Sequence, residues 1–268
     1  MGLLGDVTGR IGNFIHKSVT DAASIEVTEQ DGVRSLHLGS VTVQSSMRVA
    51  APYELVLTYT RGMMAFLLFQ PAPREVLAIG LGGGSLPKFM RRYVIGARTT
   101  VVEINPQVVA VARSHFHLQA DDEYLHVVTG DGAEYVRNPP TANDILLVDS
   151  YDSHGIARNL SSRDFYDACF AALSPHGILV VNLWGSDKNF DTYLQRIEQA
   201  FSGRILIMPT GRPGNIIVFA FRRDPGDLRW KTLRERGKAL QEQYRIEFLE
   251  FVERLRDNNL NTANRLLL

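Results

Sequence analysis

The stretch from Glu75 to Glu103, EVLAIGLGGGSLPKFMRRYVIGARTTVVE, decides the fold of this chain. A short apolar strand leads into a glycine turn, a helix-like segment follows, and a second strand ends on Glu103 about twenty residues later. Glycines allow a tight turn and a close approach of a ligand to the backbone. The helix presents free N–H groups and a positive dipole end, while an acid at the next strand tip can accept hydrogen bonds from both ribose hydroxyls. The stretch therefore predicts a nucleoside site, with the turn residues Gly80, Gly82, Gly83 and Gly84 against the ligand.

The composition narrows the class of protein and of partner. The 268 residues carry 29 basic and 29 acidic side chains, so the formal net charge is zero, without the basic excess of a nucleic-acid-binding surface. The single Cys169 excludes an internal disulfide and fits a reducing compartment. The amino terminus lacks an apolar run long enough for a signal sequence or a membrane span. We therefore expect a cytoplasmic protein that binds neither nucleic acid nor membrane.

The pattern along the chain divides it into four units. Residues 1–52 form a small β segment, loosely packed over residues 1–20, with antiparallel strands over Ser24–Thr28, Val33–Leu38 and Val41–Gln44. Residues 53–73 form a linking helix buried under the sheet, started by Pro52. Residues 74–223 form the nucleoside-binding α/β domain. Residues 224–268 form one long amphipathic helix and a mobile tail. The helical spacing of its apolar residues favours packing on the domain over contact with a partner.

Seven strands alternate with helices inside the α/β unit. Ile145–Val148 is so apolar that burial on both faces is expected, and Ser174–Gly177 is expected to be a turn. The last two strands, Arg204–Met208 and Asn215–Phe221, are too close in sequence for a crossover helix and should pair antiparallel. Five parallel strands followed by a hairpin is the order of the seven-stranded nucleoside-dependent transferases rather than of the dehydrogenases.

Two further acidic motifs follow strands of this sheet. Asp131 and Gly132 lie in a GDG turn after the third strand, where a carboxylate can accept a hydrogen bond from an adenine amino group. Asp149 and Asp152 lie in DSYD after the fourth strand. Two carboxylates at one strand tip can hold a cationic amine and take a proton from it. Tyr151 and Trp184 flank this region, where stacking on adenine or shaping the acceptor site is as good an interpretation as simple packing. Residues His115, His117 and Asp121 are rejected as a metal site because two His two apart on a helix point to different faces.

At these residues the chain resembles the polyamine aminopropyltransferases, the spermidine synthase family. The resemblance runs over most of residues 36–221 and includes a strand ending in Gln44, a helix bearing Tyr59, the glycine turn, the GDG turn and DSYD. It implies a Rossmann-like seven-stranded class I methyltransferase-type sheet preceded by a small antiparallel β segment. Similar proteins often form dimers through that segment, which leaves a homodimer open.

The resemblance also implies roles for individual residues. Glu103 would bind the ribose and Asp131 the adenine of decarboxylated S-adenosylmethionine, a co-substrate rather than a tightly bound cofactor, with no metal required. Asp149 would deprotonate the attacking amine and Asp152 would help to hold it. Gln44 and Tyr59 would line the pocket from the amino-terminal side.

Three departures from the family pattern leave the substrate open. Gly83 stands where the family carries an Asp, Thr60-Arg61 stands where it carries an acid, and DSYD is not followed by Pro. Two lost acids and one added cation should disfavour a polycation, each charge being worth roughly 1–4 kcal/mol at a few Å. Since Gly83 would not repel the carboxylate of intact S-adenosylmethionine, a methyltransferase is an alternative, and a catalytically degenerate nucleoside-binding protein is another.

Overall fold

The computed structural model describes residues 13–19, 24–152, 155–211 and 214–268, with the backbone alone at positions 151, 152 and 155. Residues 1–12 and the side chains of Tyr151 and Asp152 therefore lie outside the described part of the chain, as do Ser153 and His154.

A four-stranded antiparallel sheet begins the described chain. Its strands, in spatial order, are β1 (Asn13–Val19), β2 (Ser24–Gln30), β3 (Val33–Leu38) and β4 (Val43–Arg48). Of residues 1–20, the structure describes β1, which pairs with β2 while all of its side chains stay exposed or half-buried, in keeping with the expected loose packing. β4 begins two residues later than predicted and extends further, because Met47 enters the core while Val41 stays 89% exposed.

The segment after β4 is helical over a shorter range than predicted. The α-helix α1 (Thr58–Met63) continues into a first 3-10 helix (Met64–Leu68), and Pro52 does not begin either of them. Every side chain of the 3-10 helix is buried. A helix that is apolar on all sides must be surrounded by protein, and these residues indeed belong to the core beneath the main sheet.

The α/β part contains the remaining strands of the described residues, five α-helices and a second 3-10 helix. In chain order these are β5 (Glu75–Ile79), α2 (Ser85–Tyr93), β6 (Arg98–Glu103), α3 (Pro106–His115), β7 (Leu125–Thr129), α4 (Gly132–Arg137), β8 (Asn143–Val148), β9 (Tyr151–Asp152), β10 (Gly155–Ile156), a second 3-10 helix (Arg158–Leu160), α5 (Arg163–Ala172), β11 (Leu173–Trp184), α6 (Phe190–Ala200), β12 (Ile205–Pro209) and β13 (Asn215–Phe221). Seven of the strands form one sheet in the order β12-β13-β11-β8-β5-β6-β7, and β9 and β10 form a separate two-stranded antiparallel sheet.

This sheet confirms the predicted fold class. β13 runs antiparallel to both of its neighbours, β11 and β12, while the other pairs are parallel. The predicted turn at Ser174–Gly177 instead lies within β11. There the pairing with β8 skips from Leu173 opposite Asn143 to Ile178 opposite Ile145, so the extra residues form a bulge.

The small sheet packs on the face of α3. Buried apolar residues of the small sheet and of α3 form one cluster, which also includes the C-cap of α3. Its members are Ile25, Val27, Leu36, Met47, Val108, Val111 and Phe116. Because α3 follows β6, this packing holds β4 beside the carboxyl ends of the central strands.

The carboxyl-terminal region forms two helices rather than the predicted one. α7 (Trp230–Tyr244) ends where Arg245 adopts a left-handed conformation with φ 59°, and α8 (Phe248–Asn258) then packs back against α7. Both contribute to the core beneath the main sheet, as a packed helix should. The prediction of a mobile tail is wrong, because Leu266 is buried and its N–H donates to the carbonyl oxygen of Leu228.

The predicted unit boundaries at residues 52, 73 and 223 stay predictions. Among the described residues, no helix has the length and apolar character needed to cross a membrane.

Candidate active site

A cavity of about 700 Å³ opens at the carboxyl ends of β5, β6 and β8. Doubly wound sheets bind ligands at this edge. Eight of the predicted site residues line it: Gln44, Tyr59, Gly80, Gly82, Glu103, Asp131, Gly132 and Asp149. Gly84 and Trp184 are outside the lining, and Gly84 faces Leu118 instead.

Glu103 is fixed by backbone N–H groups at the end of β6. Leu81 N donates to Oε2 at 3.0 Å and Asn105 N donates to Oε1 at 2.9 Å. Burial raises the pKa of Glu103, and the backbone hydrogen bonds act in the opposite direction. The carboxylate of Glu103 thus has a fixed orientation, and its remaining lone pairs can accept hydrogen bonds from a pair of hydroxyls.

Gly80 brings the glycine turn into contact with the end of β8. Its φ is 95°, and a Cβ there would lie 2.2 Å from the carbonyl oxygen of Asp149, so no other residue fits without a backbone shift. The same turn donates Leu81 N to Glu103. The turn therefore fixes the distance between the predicted ribose carboxylate and the predicted base.

Gly83 does not line the cavity, and a side chain at this position would meet its neighbours at close range. A Cβ on Gly83 would lie 2.8 Å from Ser45 Oγ and 2.9 Å from Phe116 Cδ1. Ser45, on β4, fills the space that an aspartate at position 83 would need. An aspartate at position 83 would therefore require the side chains of Ser45 and Phe116 to shift.

Asp131 caps α4 and is held by a second residue that the sequence did not indicate. Its Oδ1 accepts from Ala133 N at 2.7 Å, and Asn159 Nδ2 donates to Oδ1 at 3.2 Å and to Oδ2 at 3.0 Å. Asn159 lies in the second 3-10 helix and also lines the cavity. Gly132 is confined by packing, since a Cβ there would lie 2.4 Å from Ile79 Cγ2.

Asp149 is the acid at the tip of β8. Asn182 Nδ2, on the adjacent β11, donates to Asp149 Oδ1 at 2.9 Å. Burial raises the pKa of Asp149, and the hydrogen bonds from Asn182 and Tyr59 partly oppose that shift. Asn182 was not predicted, although a polar residue in an otherwise apolar, buried strand was a usable signal.

Tyr59 faces the same carboxylate. Its hydroxyl donates to the carbonyl oxygen of Gln44 at 3.1 Å, and Asp149 competes for that one proton. Burial, then the charge of Asp149 and a hydrogen bond to it, raise the pKa of Tyr59 well above its usual value. Tyr59 is therefore a neutral hydroxyl between the base and the small sheet.

Arg61 does not add a cation to the cavity. Its Nε donates to Glu247 Oε1 at 2.9 Å, and its Nη1 donates to the carbonyl oxygens of Leu55 and Val56. The residue is absent from the cavity lining. The sequence-based expectation that Arg61 repels a polycation is therefore wrong, because the side chain is directed to the loop before α8.

The charges that line the cavity are all negative. Glu103, Asp131 and Asp149 line it, and no Lys, Arg or His side chain of the described residues does. Among these residues, no group of three or more His, Cys, Asp or Glu side chains could hold a metal ion. Sheet order and glycine turn define a protein of the class I methyltransferase-type fold, with strand-tip acids in its cavity.

Comparison with known proteins gives the family within that class. The model of the spermine/spermidine synthase domain matches residues 56–223. A polyamine aminopropyltransferase of Chromobacterium violaceum is 41% identical over 254 residues, which cover 95% of this chain and 97% of the relative. One of Neisseria meningitidis is 39% identical over 240 residues, covering 89% and 91%. The chain belongs to the spermine/spermidine synthase family.

A solved structure supports the same fold. A crystal structure of spermidine synthase in complex with the transition-state analogue AdoDATO superposes with a TM-score of 0.71 at 21% identity, covering 91% of this chain and 86% of the other.

Proposed function

We propose that this enzyme transfers an aminopropyl group from decarboxylated S-adenosylmethionine to an amine acceptor. Its relatives are named polyamine aminopropyltransferases, and it covers nearly their whole length. The observation that carries the proposal is the charge of the cavity, whose described lining has three carboxylates and no basic side chain. Decarboxylated S-adenosylmethionine carries two positive charges, a sulfonium and an ammonium, and an all-acidic lining attracts both.

The reaction is a direct displacement at carbon. The acceptor nitrogen attacks the carbon next to the sulfonium, a C–N bond forms, the C–S bond breaks, and the sulfur leaves as the neutral thioether of 5′-methylthioadenosine. Because the leaving group is already activated, the protein supplies positioning and an unprotonated amine. A free amine has a pKa of roughly 10, so the proton must be removed, and Asp149 accepts it.

The roles proposed for individual residues are those that the family resemblance implies, and their places in the cavity support them. Glu103 binds the ribose, and Asp131 with Gly132 binds the adenine. Gly80 and Gly82 let the nucleoside approach the backbone.

The acceptor side is assigned to a second group of residues. Tyr59 and Gln44 line the cavity together with Asp149, and the Tyr59 hydroxyl donates to the carbonyl oxygen of Gln44. Asp152 and Tyr151 are proposed as further acceptor residues on the strength of their place in the DSYD motif. A cytoplasmic location, a homodimer and the lack of a tightly bound cofactor or metal stay predictions.

A methyltransferase is the less favoured function. Intact S-adenosylmethionine brings a carboxylate, which would enter a cavity whose described charged side chains are all acids. Nothing in the described lining favours that ligand over the decarboxylated one.

Incubation with each donor tests the proposal. The enzyme should convert decarboxylated S-adenosylmethionine and a diamine into 5′-methylthioadenosine and an aminopropylated amine, as measured by mass spectrometry. Formation of S-adenosylhomocysteine from intact S-adenosylmethionine, or no product from either donor, would refute it.

A further inference from the structure

Lys88, on α2, is a buried lysine for which the proposed function has no use. Helix α2 begins directly after the glycine turn, and the Lys88 side chain lies on its first turns with only 1% of its surface exposed. Its Nζ donates to the carbonyl oxygen of Phe116 at 2.6 Å. Lys88 is outside the cavity lining, so this contact lies behind the wall of the cavity.

The carbonyl oxygen of Phe116 needs a donor of this kind. Phe116 is the C-cap of α3 and is fully buried. The last carbonyls of a helix have no partner within the helix, and the negative end of the helix dipole favours a cation. Arg34 of the small sheet acts in the same way on the preceding residue, since its Nη1 donates to the carbonyl oxygen of His115 at 2.6 Å. The end of α3 is therefore held by one cation from the small sheet and by one from α2.

The end of α3 also lies directly against the glycine turn. A Cβ on Gly83 would lie 2.9 Å from Phe116 Cδ1, and a Cβ on Gly84 would lie 2.9 Å from Leu118 Cδ1. The turn and the first residues of α3 both line the cavity. Lys88 therefore joins the helix that follows the turn to the segment on which the turn rests.

A lysine is an unfavourable way to satisfy one buried carbonyl. A buried charge is destabilising unless it is paired, and apolar replacements of buried charges are often neutral or stabilising. Among the described residues no carboxylate pairs with Lys88, and burial lowers the pKa of its ammonium to about 8. The lysine thus points to a requirement for geometry rather than for stability.

We infer that Lys88 is a positioning residue for the nucleoside, because its bond to Phe116 fixes the glycine turn relative to Glu103. The identity of the nucleoside rests on the proposed function. Leu81 N, in the turn, donates to Glu103 Oε2, so a turn that moves would also withdraw a donor from this carboxylate. Lys88 itself acts on the ligand only through Phe116 and the turn.

Lys88→Met tests the inference, because it removes the donor and keeps the length of the side chain. Calorimetry on the full chain should show the Kd of 5′-methylthioadenosine raised by about tenfold. The KM for decarboxylated S-adenosylmethionine should rise by the same factor, while kcat stays close to that of the wild type because Asp149 is untouched. Lys88→Arg keeps a cationic donor and should recover most of the affinity.

The pH dependence of binding gives a readout that packing alone would not move. As pH rises through about 8, Lys88 loses its proton and its hydrogen bond weakens. The Kd of 5′-methylthioadenosine should therefore rise by about threefold in the wild type and stay flat in Lys88→Met. The other ionisable side chains around the end of α3 are Arg34 with Glu29, Arg113 with Asp121, Arg91 with Asp122, and His115 with His16. Burial, then the charges of His16 and Arg34, lower the pKa of His115, so this group stays neutral over the range.

Arg236→Met is the matched control. Arg236 Nη1 donates to the carbonyl oxygen of Leu68, the last residue of the first 3-10 helix, at 3.1 Å, and it is outside the cavity lining. This variant should change neither the Kd nor the KM.

Wild-type affinity in Lys88→Met, or a lower kcat at an unchanged KM, would overturn the inference. A flat pH profile in the wild type would overturn it even if Lys88→Met failed to fold. In each case, formation of aminopropylated product by the wild type leaves the proposed function standing. A wild type that binds no 5′-methylthioadenosine and forms no product would overturn both.

Discussion

Asp149 combines two opposing influences on one carboxyl group. Burial favours the protonated acid, while hydrogen bonds from Asn182 and Tyr59 favour the carboxylate. A base must be ionised before it can take a proton, yet basic enough to hold it. The proposed role of Asp149 as the base therefore depends on both the burial and the hydrogen bonds.

Asp149→Asn should abolish turnover and leave nucleoside binding intact. The amide keeps the shape of the side chain but cannot accept the proton from the attacking amine. We expect kcat to fall by about 10²–10⁴-fold, while the Kd of 5′-methylthioadenosine measured by calorimetry stays close to that of the wild type. Retained turnover would show that another group is the base.

Asn182→Ala should change the pH dependence of the reaction. Activity is lost as pH falls through the pKa of Asp149, which burial already raises above its usual value. Removing the Asn182 donor removes an influence that lowers this pKa, so the acidic limb of kcat/KM should move to higher pH.

Asn143→Ala is the control for that profile. Asn143 is a buried amide at the opposite end of the same sheet, bonded to the carbonyl oxygens of Thr141 and Ala172. This variant should lose stability without moving the acidic limb. If the acidic limb of the kcat/KM profile moved equally in both variants, the shift would come from a general loss of sheet stability and not from the lost hydrogen bond to Asp149.

At the scale of elements, the second 3-10 helix covers the predicted adenine end of the cavity. Its Ala157 neighbour, Asn159 and Leu160 line the cavity, and only Asn159 ties the segment to Asp131 by side-chain hydrogen bonds among the described residues. The carboxylate of Asp131 still caps α4 when Asn159 is removed. The capping of α4 can therefore be separated from the orientation of Asp131 by Asn159.

Asn159→Ala should weaken nucleoside binding by about tenfold, because an amide–carboxylate hydrogen bond that orients Asp131 is lost. The Kd of 5′-methylthioadenosine checks this. Arg158→Ala, in the same 3-10 helix but outside the cavity lining, should leave the Kd unchanged. Wild-type affinity in Asn159→Ala would show that α4 capping alone positions Asp131.

At the scale of the whole molecule, Arg61 joins segments that are 186 residues apart in sequence. Its partly buried guanidinium connects the segment before α1 to Glu247, the residue before α8. The two carboxyl-terminal helices share a core with the main sheet. The ion pair thus fixes the start of α8 against the segment before α1, outside the cavity lining.

Arg61→Met should destabilise the protein without changing the acceptor. The free energy of unfolding in urea should fall by about 1–3 kcal/mol, since Glu247 and two carbonyl oxygens lose their donor. The KM for a diamine should stay unchanged. Arg234→Met removes an exposed pair with Glu253 and should cost only about 0–1 kcal/mol. A marked fall in the diamine KM would instead restore a charge effect of Arg61 on the cavity.

Local pattern was sufficient for the sheet and for the acids at its strand tips. A parallel strand that ends in an acid places that acid at the ligand edge wherever the rest of the chain lies, and Glu103, Asp131 and Asp149 all meet in one cavity. The same reasoning failed for the carboxyl-terminal helices, where a single left-handed residue, Arg245, breaks a continuous apolar periodicity.

The sequence by itself determined the class of fold and the three acids of the cavity, because strand ends and glycine turns are local features with a fixed place in a doubly wound sheet. The family came from the resemblance of its motifs. Only the tertiary structure decided what surrounds those acids. Asn182 meets Asp149 across 33 residues, Asn159 meets Asp131 across 28, and Ser45 meets Ser85 across 40. It also decided that Gly83 faces Ser45 and that Arg61 faces Glu247. Side-chain direction at such positions depends on which distant elements pack together, and no local spacing encodes it.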